Sequence, residues 1–521
     1  MTTISGAISS RRRDRLRRLA IGAGLLLASS LQAQAPAGFI VVHASILDGS
    51  GAPAAPGSVR VRAGRIVEVG DLRPARGETV IDAAGLSLAP GFIDDHSHHD
   101  GGLQAEPGAL AAVSQGITTI VAGQDGFEHY PLAAWFTALE RQPAAINVAS
   151  YAGHNTLREL ILRDDFRREA SAEEVGRMRV LLRQELAAGA LGLSTGLEYD
   201  PGIYSSHGEV LTLARAAAAA GARYISHIRS EDRHFWGAID EILTIGREAK
   251  LPVQISHTKL AMRSLWGGAD SLVRRLEAAR AEGIDVTGDI YPYTYWHSTL
   301  TVLFPARDYT DRKEAELAVT EVSTPAGIRL GIYRPNPEFA GKTLAEIAPI
   351  LGLDSVSALI ELVRRAEAMR AGGADDVESV IATSMIEPDI ERLLRWPQMA
   401  FCTDGELDGT HPRGFGSFPR LLGYYVRERG VLTLAEAVRR ATSLAAANVG
   451  LRDRGRVAPG FAADLVLFDP ATIRDRATTD EPHALSTGVD RVWVNGEVVF
   501  ENGRPTGRHP GQVLRRLAPA R

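Results

Sequence analysis

The 521-residue chain contains a single cysteine, Cys402. No disulfide can form within it, and no cysteine lies near the N-terminus to carry a lipid anchor. Cys402 falls in an apolar run and reads as a small buried hydrophobe rather than a nucleophile. An excess of one charge is also lacking. Lys and Arg total 58 against 63 for Asp and Glu, a formal net charge of −5, which offers no nucleic-acid surface. Past the N-terminus, the arginine clusters lie among acids in helical patterns, as solvated faces do. The apolar run at residues 19–31 is too short to span a bilayer comfortably. No Gly-x-Gly-x-x-Gly follows the first core strand, which argues against an open dinucleotide-binding sheet.

What is present is an ordinary globular composition, 45% hydrophobic and 23% charged. The length fits one large domain with a smaller one. The N-terminus stands apart. Arg11-Arg12-Arg13-Asp14-Arg15-Leu16-Arg17-Arg18 is basic, residues 19–31 are apolar, and Gln32-Ala33-Gln34-Ala35 supplies small residues for cleavage. This reads as a secretory signal peptide over residues 1–35, with the paired arginines allowing a twin-arginine route. It implies a periplasmic or secreted protein with no membrane association once the signal is removed. A basic tail or an uncleaved anchor is the alternative.

After the signal, residues 39–47, 59–69 and 79–82 are strand-like, broken by Asp48-Gly49-Ser50-Gly51 and Ala63-Gly64. Near the other end, residues 463–468 and 492–499 are again strand-like, the latter split by the turn dipeptide Asn495-Gly496. These two sets, in segments 36–88 and 452–510, predict one small β-sandwich built from both ends of the chain. Between them, eight apolar runs alternate with helical periodicity: 88–94, 117–122, 146–151, 190–194, 223–227, 253–257, 286–290 and 399–403. Helical segments lie at 172–188, 209–220, 238–249 and 271–281, among others. Eight strands with helices between them predict an α/β fold, a (β/α)₈ barrel over residues 89–451. Residues 304–397 are too long for one βα unit and read as an insertion over the barrel mouth.

Barrel chemistry sits at the C-terminal ends of the strands. The first strand ends in Asp94-Asp95-His96-Ser97-His98-His99. Alternation along an extended chain turns His96 and His98 to one face and His99 to the other, which makes half a metal site or two solvated loop histidines. The second strand ends in Gly123-Gln124-Asp125-Gly126, the fifth in Ser226-His227, the sixth in Ser256-His257, the eighth in Thr403-Asp404-Gly405. Each alone is an ordinary core or loop polar group. Together they place metal-ligand residue types around one rim.

These elements resemble the amidohydrolase superfamily and, within it, the D-aminoacylase branch. The resemblance rests on Pro90-Gly91-Phe92-Ile93-Asp94 with His96 and His98, on Ser194-Thr195-Gly196 with Tyr199, and on Ser256-His257-Thr258-Lys259. Tyr291-Pro292-Tyr293, His411-Pro412-Arg413 and the C-terminal Ala463-Asp464-Leu465-Val466 extend it. It implies a zinc hydrolase of linear amides, cleaving an N-acyl-D-amino acid; a dipeptidase on D-residue dipeptides and a non-catalytic binder are the alternatives. The tightly held metal would take His227, His257 and a second-strand residue that is cysteine in the branch and Asp125 here. A carboxylate can replace the thiolate but is harder, relaxing the preference for zinc over manganese or iron. A second, weaker metal would use His96 and His98, with Asp125 bridging. Asp404 would be general base, metal ligand or both. Lys259 and Tyr199 match substrate-contacting positions, although Lys259 could instead form a structural ion pair; Tyr291, Ser298 and Arg413 are further candidates. No lysine follows the fourth strand, unlike the hydantoinase and urease branches. The resemblance assigns no role to His154.

Overall fold

The computed structural model describes residues 38–516. The expected signal peptide lies outside them. Among the described residues no helix is long and apolar enough to cross a membrane.

Eight parallel strands form the barrel: β1 (Phe92–Asp94), β2 (Ile117–Ala122), β3 (Asn147–Ser150, resumed at Ala152–Gly153), β4 (Gly192–Gly196), β5 (Arg223–His227), β6 (Val253–Ile255), β7 (Val286–Ile290) and β8 (Met399–Phe401). Backbone ladders join β1 to β2 to β3 and run on through β4 to β8. Most are buried along their whole length, as strands covered on both faces must be, which is why they read as apolar runs. The last seam closes just beyond β1 and β8. The Asp94 carboxylate accepts from the Thr403 amide at 2.7 Å and from its hydroxyl, and the Asp404 amide donates to the His96 carbonyl at 2.9 Å. Barrel closure and the positioning of two candidate ligands are therefore one set of bonds.

The helices between strands carry the punctuation their sequences announce. Ala172–Ala188 opens on a capping box between Ser171 and Glu174 and stops at Gly189, whose φ of 116° suits only glycine.

Nine of the strands outside the barrel form one sheet. Its seam is Ser87–Pro90 paired antiparallel with Leu465–Phe468, which joins the two ends of the chain. Phe39 and Trp493 stack at 5.8 Å although their strands are three steps apart in the sheet. Flat strands would hold them about 14 Å apart, so the sheet curls, sandwich-like, around a core that includes Val41, Val59, Ile66 and Leu465.

Three segments depart from the sequence reading. The expected first strand, 88–94, is split at Gly91: Ser87–Pro90 belongs to the outer sheet and only Phe92–Asp94 to the barrel. A side chain at Gly91 would overlap Thr118 on the neighbouring strand. The expected insertion at 304–397 starts earlier, because Tyr295–Ser298 pairs with Glu378–Thr383, which also pairs with Ile328–Tyr333. It ends sooner too, since Glu387–Leu394 packs on the barrel helix Ala269–Ala281. Residues past 510 are not surplus. The Leu514 amide donates to the Val148 carbonyl at 2.8 Å and the Arg516 amide to the Gly189 carbonyl at 2.9 Å, so the strap crosses the N-terminal face of the barrel.

Candidate metal centre

Four donor atoms, from His96, Asp125, His257 and Asp404, lie within 4.8 Å of one another. They come from the ends of β1, β2, β6 and β8. His96 Nε2 is 3.5 Å from Asp125 Oδ1 and 3.4 Å from Asp404 Oδ1. His257 Nε2 is 3.4 Å from the same Asp125 oxygen. His98 shares the face, its Nε2 3.4 Å from Asp125 Oδ2 and 3.2 Å from Asp404 Oδ1. His99 points away, between the Ser97 hydroxyl and the Gly414 carbonyl, as strand alternation requires. His227 stands outside the group of four. It reaches it through Nδ1, 2.9 Å from His257 Nε2, and forms a second group of possible donors with Glu231 and His257.

This donor set fits a divalent cation. Both ring nitrogens of the fully buried His96, and Oδ1 of Asp125, have no hydrogen-bond partner. Buried polar atoms are almost always paired, so His96 Nε2 and Asp125 Oδ1, orphaned and 3.5 Å apart, mark a place where something else binds. Imidazole and carboxylate are the nitrogen and oxygen donors of zinc and its neighbours. The charges point the same way. Burial alone would raise the Asp125 carboxyl, but His96 and His257 hold it well below the usual range. Burial likewise opposes ionisation of Asp404, and Arg413 with His257 outweighs it, so this carboxyl too is held low. His98 is pushed up to about 10 because its bonds to Asp125 and Asp404 overcome its burial. Two carboxylates are thus stored in ionised form at the mouth of the barrel.

Backbone strain collects at the same residues. Asp125 (φ 53°), His257 (φ 33°) and Asp404 (φ 49°) all lie in the left-handed region. Such residues persist only where their surroundings over-determine them, and they cluster at functional sites. The donor atoms of these three residues, from separate strand ends, nonetheless lie within 4.8 Å of one another. Asp404 is held by the closing bond to His96, and the His257 amide donates to Asp289 Oδ1 at 2.6 Å. Asp125 sits between Gly123 and Gly126, both at positive φ, where a Cβ would overlap Tyr151 or Asn155.

The centre opens onto a cleft of about 1330 Å³. The barrel rim contributes His98, Tyr199, Asp404 and Arg413 to its walls; the insertion contributes Ser298, Arg307, Ser379 and Ile332. Arg413 lies 2.5 Å from Asp404 Oδ2 and over the ring of Tyr291. It is aimed by His411, whose Nδ1 accepts from the Arg413 amide at 3.0 Å while Nε2 donates to the Tyr295 carbonyl at 3.1 Å. Burial and the charge of Arg413 push His411 well below its ordinary value, consistent with that neutral tautomer. The His-Pro-Arg motif therefore links the insertion to the ion pair on Asp404. The Tyr291 hydroxyl is buried without a partner. Tyr199 packs beside His227, ring centroids 4.4 Å apart. Lys259 does make an ion pair: its Nζ is 2.6 and 2.7 Å from the two oxygens of Glu231 and 2.7 Å from His257 Nδ1. Cys402 is fully buried.

His154 belongs elsewhere. With Arg158 it grips Glu209, at 2.7 and 2.5 Å, in a fully buried brace between two helices. Two acids at the centre carry no mark in the sequence: Glu198, 2.9 Å from His227 Nε2, and Glu231. Both lie in loops beyond strand ends, where an acid is ordinarily solvated. The one available signal is that Glu231 follows His227 by four residues, which by itself points nowhere.

The amidohydrolase family model matches residues 79–329 and 341–500 of the chain. The chain is similar to N-acyl-D-glutamate deacylase of Alcaligenes xylosoxydans xylosoxydans, 39% identical over 498 residues that span 91% of this chain and 95% of that one. Among solved structures it is similar to the N-acyl-D-glutamate deacylase of Bordetella bronchiseptica, complexed with zinc and a phosphonate mimic of the tetrahedral intermediate. The TM-score is 0.81 and the identity 37%, covering 92% and 99% of the two chains. A D-aminoacylase with a binuclear metal centre, described by one-metal activation and second-metal attenuation, superposes with a TM-score of 0.82 at 35% identity, covering 92% and 99%.

Proposed function

The chain belongs to the amidohydrolase family, and from that premise we propose that it is a metal-dependent hydrolase of N-acyl-D-amino acids, releasing a carboxylate and the free D-amino acid. The observation that carries this reading is the convergence of imidazole and carboxylate donors, His96 and Asp125 Oδ1 among them without a hydrogen-bond partner, at one rim of the barrel, facing a cleft. The D configuration and the acyl substrate come from the names of the relatives.

Asp125, His227 and His257 would hold the tighter ion, and His96, His98 and Asp404 a weaker second one. Zinc is the ion of the similar solved structure, and the carboxylate of Asp125 widens the choice toward manganese or iron. When bound, the metal supplies Lewis acidity, lowering the pKa of water and polarising a carbonyl. The remaining work falls to side chains. Arg413 occupies Oδ2 of Asp404, which leaves Oδ1 on the side of His96 and His98 to accept a proton from the attacking water. The same carboxyl returns that proton to the leaving nitrogen as the C–N bond breaks. Tyr291 offers a buried hydroxyl with no partner of its own, and with Tyr199, Lys259 and Arg413 it would receive the substrate carboxylate or the developing oxyanion. The insertion walls the outer cleft and would select side chain and acyl group.

Turnover of N-acetyl-D-amino acids, their L enantiomers and D-residue dipeptides, with zinc added, tests the reading. Hydrolysis of the blocked D substrates is expected. Activity confined to dipeptides with a free amino terminus would make the protein a peptidase, and binding without turnover of any amide would make it a binding protein. Export rests on residues 1–35 alone; a mature N-terminus near residue 36 in secreted material would support it, and an intact N-terminus in the cytoplasm would refute it.

A further inference from the structure

The two imidazoles flanking Asp125 on the β5–β6 side are each backed by a glutamate. His227 turns Nδ1 toward His257 and presents Nε2 to Glu198 Oε2 at 2.9 Å. His257 does the reverse, turning Nε2 toward Asp125 and Nδ1 toward Glu231 Oε1 at 3.0 Å. The two carboxylate side chains are only 12% and 11% exposed. A carboxylate accepts hydrogen bonds and cannot donate them. His227 Nε2, hydrogen-bonded to Glu198, must therefore carry the hydrogen, which leaves its Nδ1 with a free lone pair. That lone pair points into the donor cluster, whereas His257 Nδ1 faces both the Glu231 carboxylate and the Lys259 ammonium, so its hydrogen is decided between the two.

We infer that Glu198 and Glu231 are the positioning residues of this centre, Glu198 setting His227 as an Nδ1 donor and Glu231 countering Lys259 so that His257 can present Nε2 to a cation. The inference rests on the metal reading proposed above. A neutral imidazole without such a partner can hold its hydrogen on either nitrogen, and the wrong choice presents N–H to the metal. Carboxylate partners behind metal-binding histidines fix tautomer and ring orientation together.

The two glutamates are not equivalent. Glu231 also holds Lys259 through both oxygens, and Lys259 Nζ lies 2.7 Å from His257 Nδ1. An ammonium can only donate. Lys259 already lies within donating distance of Nδ1; once the Glu231 carboxylate is gone no acceptor competes for that nitrogen, which would send the ring hydrogen to Nε2 and block the coordinating nitrogen. Loss of Glu231 thus substitutes an opposing partner, whereas loss of Glu198 only removes a supporting one.

The experiment uses metal-stripped full-length protein titrated with zinc against a chromogenic chelator. Affinity and stoichiometry are read on the folded protein, so a general loss of stability does not move them. Glu198→Gln is expected to weaken zinc binding about 10- to 100-fold with the number of sites unchanged. Glu231→Gln is expected to weaken it more, and the double variant Glu231→Gln/Lys259→Met to recover part of that loss. Variants that bind zinc as tightly as the parent would overturn the inference and leave the metal reading standing. Loss of one whole equivalent in Glu231→Gln, unrelieved by Lys259→Met, would make Glu231 a ligand and overturn its positioning role. A parent that binds no zinc would overturn the metal reading, and the inference with it.

Discussion

Asp404 concentrates several demands on one side chain. It lies beside two imidazoles, is gripped by an arginine, sits in a strained backbone conformation and helps close the barrel. Replacing it by asparagine keeps the shape and removes the proton acceptor. Asp404→Asn is expected to lower kcat by about 10²- to 10⁴-fold, read in initial rates on an N-acetyl-D-amino acid at saturating zinc. A kcat within a few-fold of the parent would remove Asp404 from the chemistry. At this scale much of the centre was legible. His96, His98, Asp125, His257 and Asp404 follow directly on buried apolar strands, so the strand pattern fixes where they emerge. Glu198 and Glu231 were not legible, because their loops are shaped by distant partners: Arg307 donates to the Glu198 carbonyl at 2.9 Å, and Lys259 binds the Glu231 carboxylate.

Among the elements, the brace of His154, Arg158 and Glu209 joins the helix His154–Leu162 to the helix His207–Ala219 behind β3 and β4. Burial opposes the charge on Glu209, but His154 and Arg158 outweigh it and hold the carboxyl below its ordinary value. A depressed carboxyl stabilises the fold above its unfolded pKa, near 4.3, and that contribution is lost as pH falls through the folded value. His154, lowered chiefly by burial, works in the same direction: its neutral form is favoured, and acid opposes it. Glu209→Gln should cost about 3–5 kcal/mol at neutral pH, since it leaves Arg158 buried without its counter-charge. The gap to the parent in denaturant midpoint should narrow below about pH 4. A gap independent of pH would show that charge on Glu209 is not what stabilises the brace. The sequence marked His154 without explaining it, because its partner lies 55 positions away. The split at Gly91 was hidden for a related reason: apolar residues continue through it, and only the close approach of Thr118 shows where one sheet ends and the other begins.

For the molecule as a whole, the chain closes on itself twice: through the seam of the outer sheet and through the strap at residues 511–516. Leu514 belongs to an apolar cluster with Val121, Ala149 and Ile225, and its amide bonds at the start of β3, opposite the rim that bears the centre. Leu514→Ala should cost about 2–5 kcal/mol of stability while leaving kcat/KM unchanged below the unfolding transition. A fall in kcat/KM at full stability would mean that the two ends of the barrel are coupled. The barrel was legible from its alternating strands and helices, whereas the strap carries no periodicity and the early start of the insertion depends on a pairing between Tyr295–Ser298 and Glu378–Thr383.

The central claim is that side chains from separate strand ends gather around a cation, and anomalous diffraction at the zinc edge from zinc-loaded crystals tests it most directly. The account predicts a peak within about 2.0–2.2 Å of an Asp125 carboxylate oxygen and a His257 ring nitrogen. An ordered barrel with no peak among His96, Asp125, His257 and Asp404, or with its zinc bound elsewhere, would contradict it.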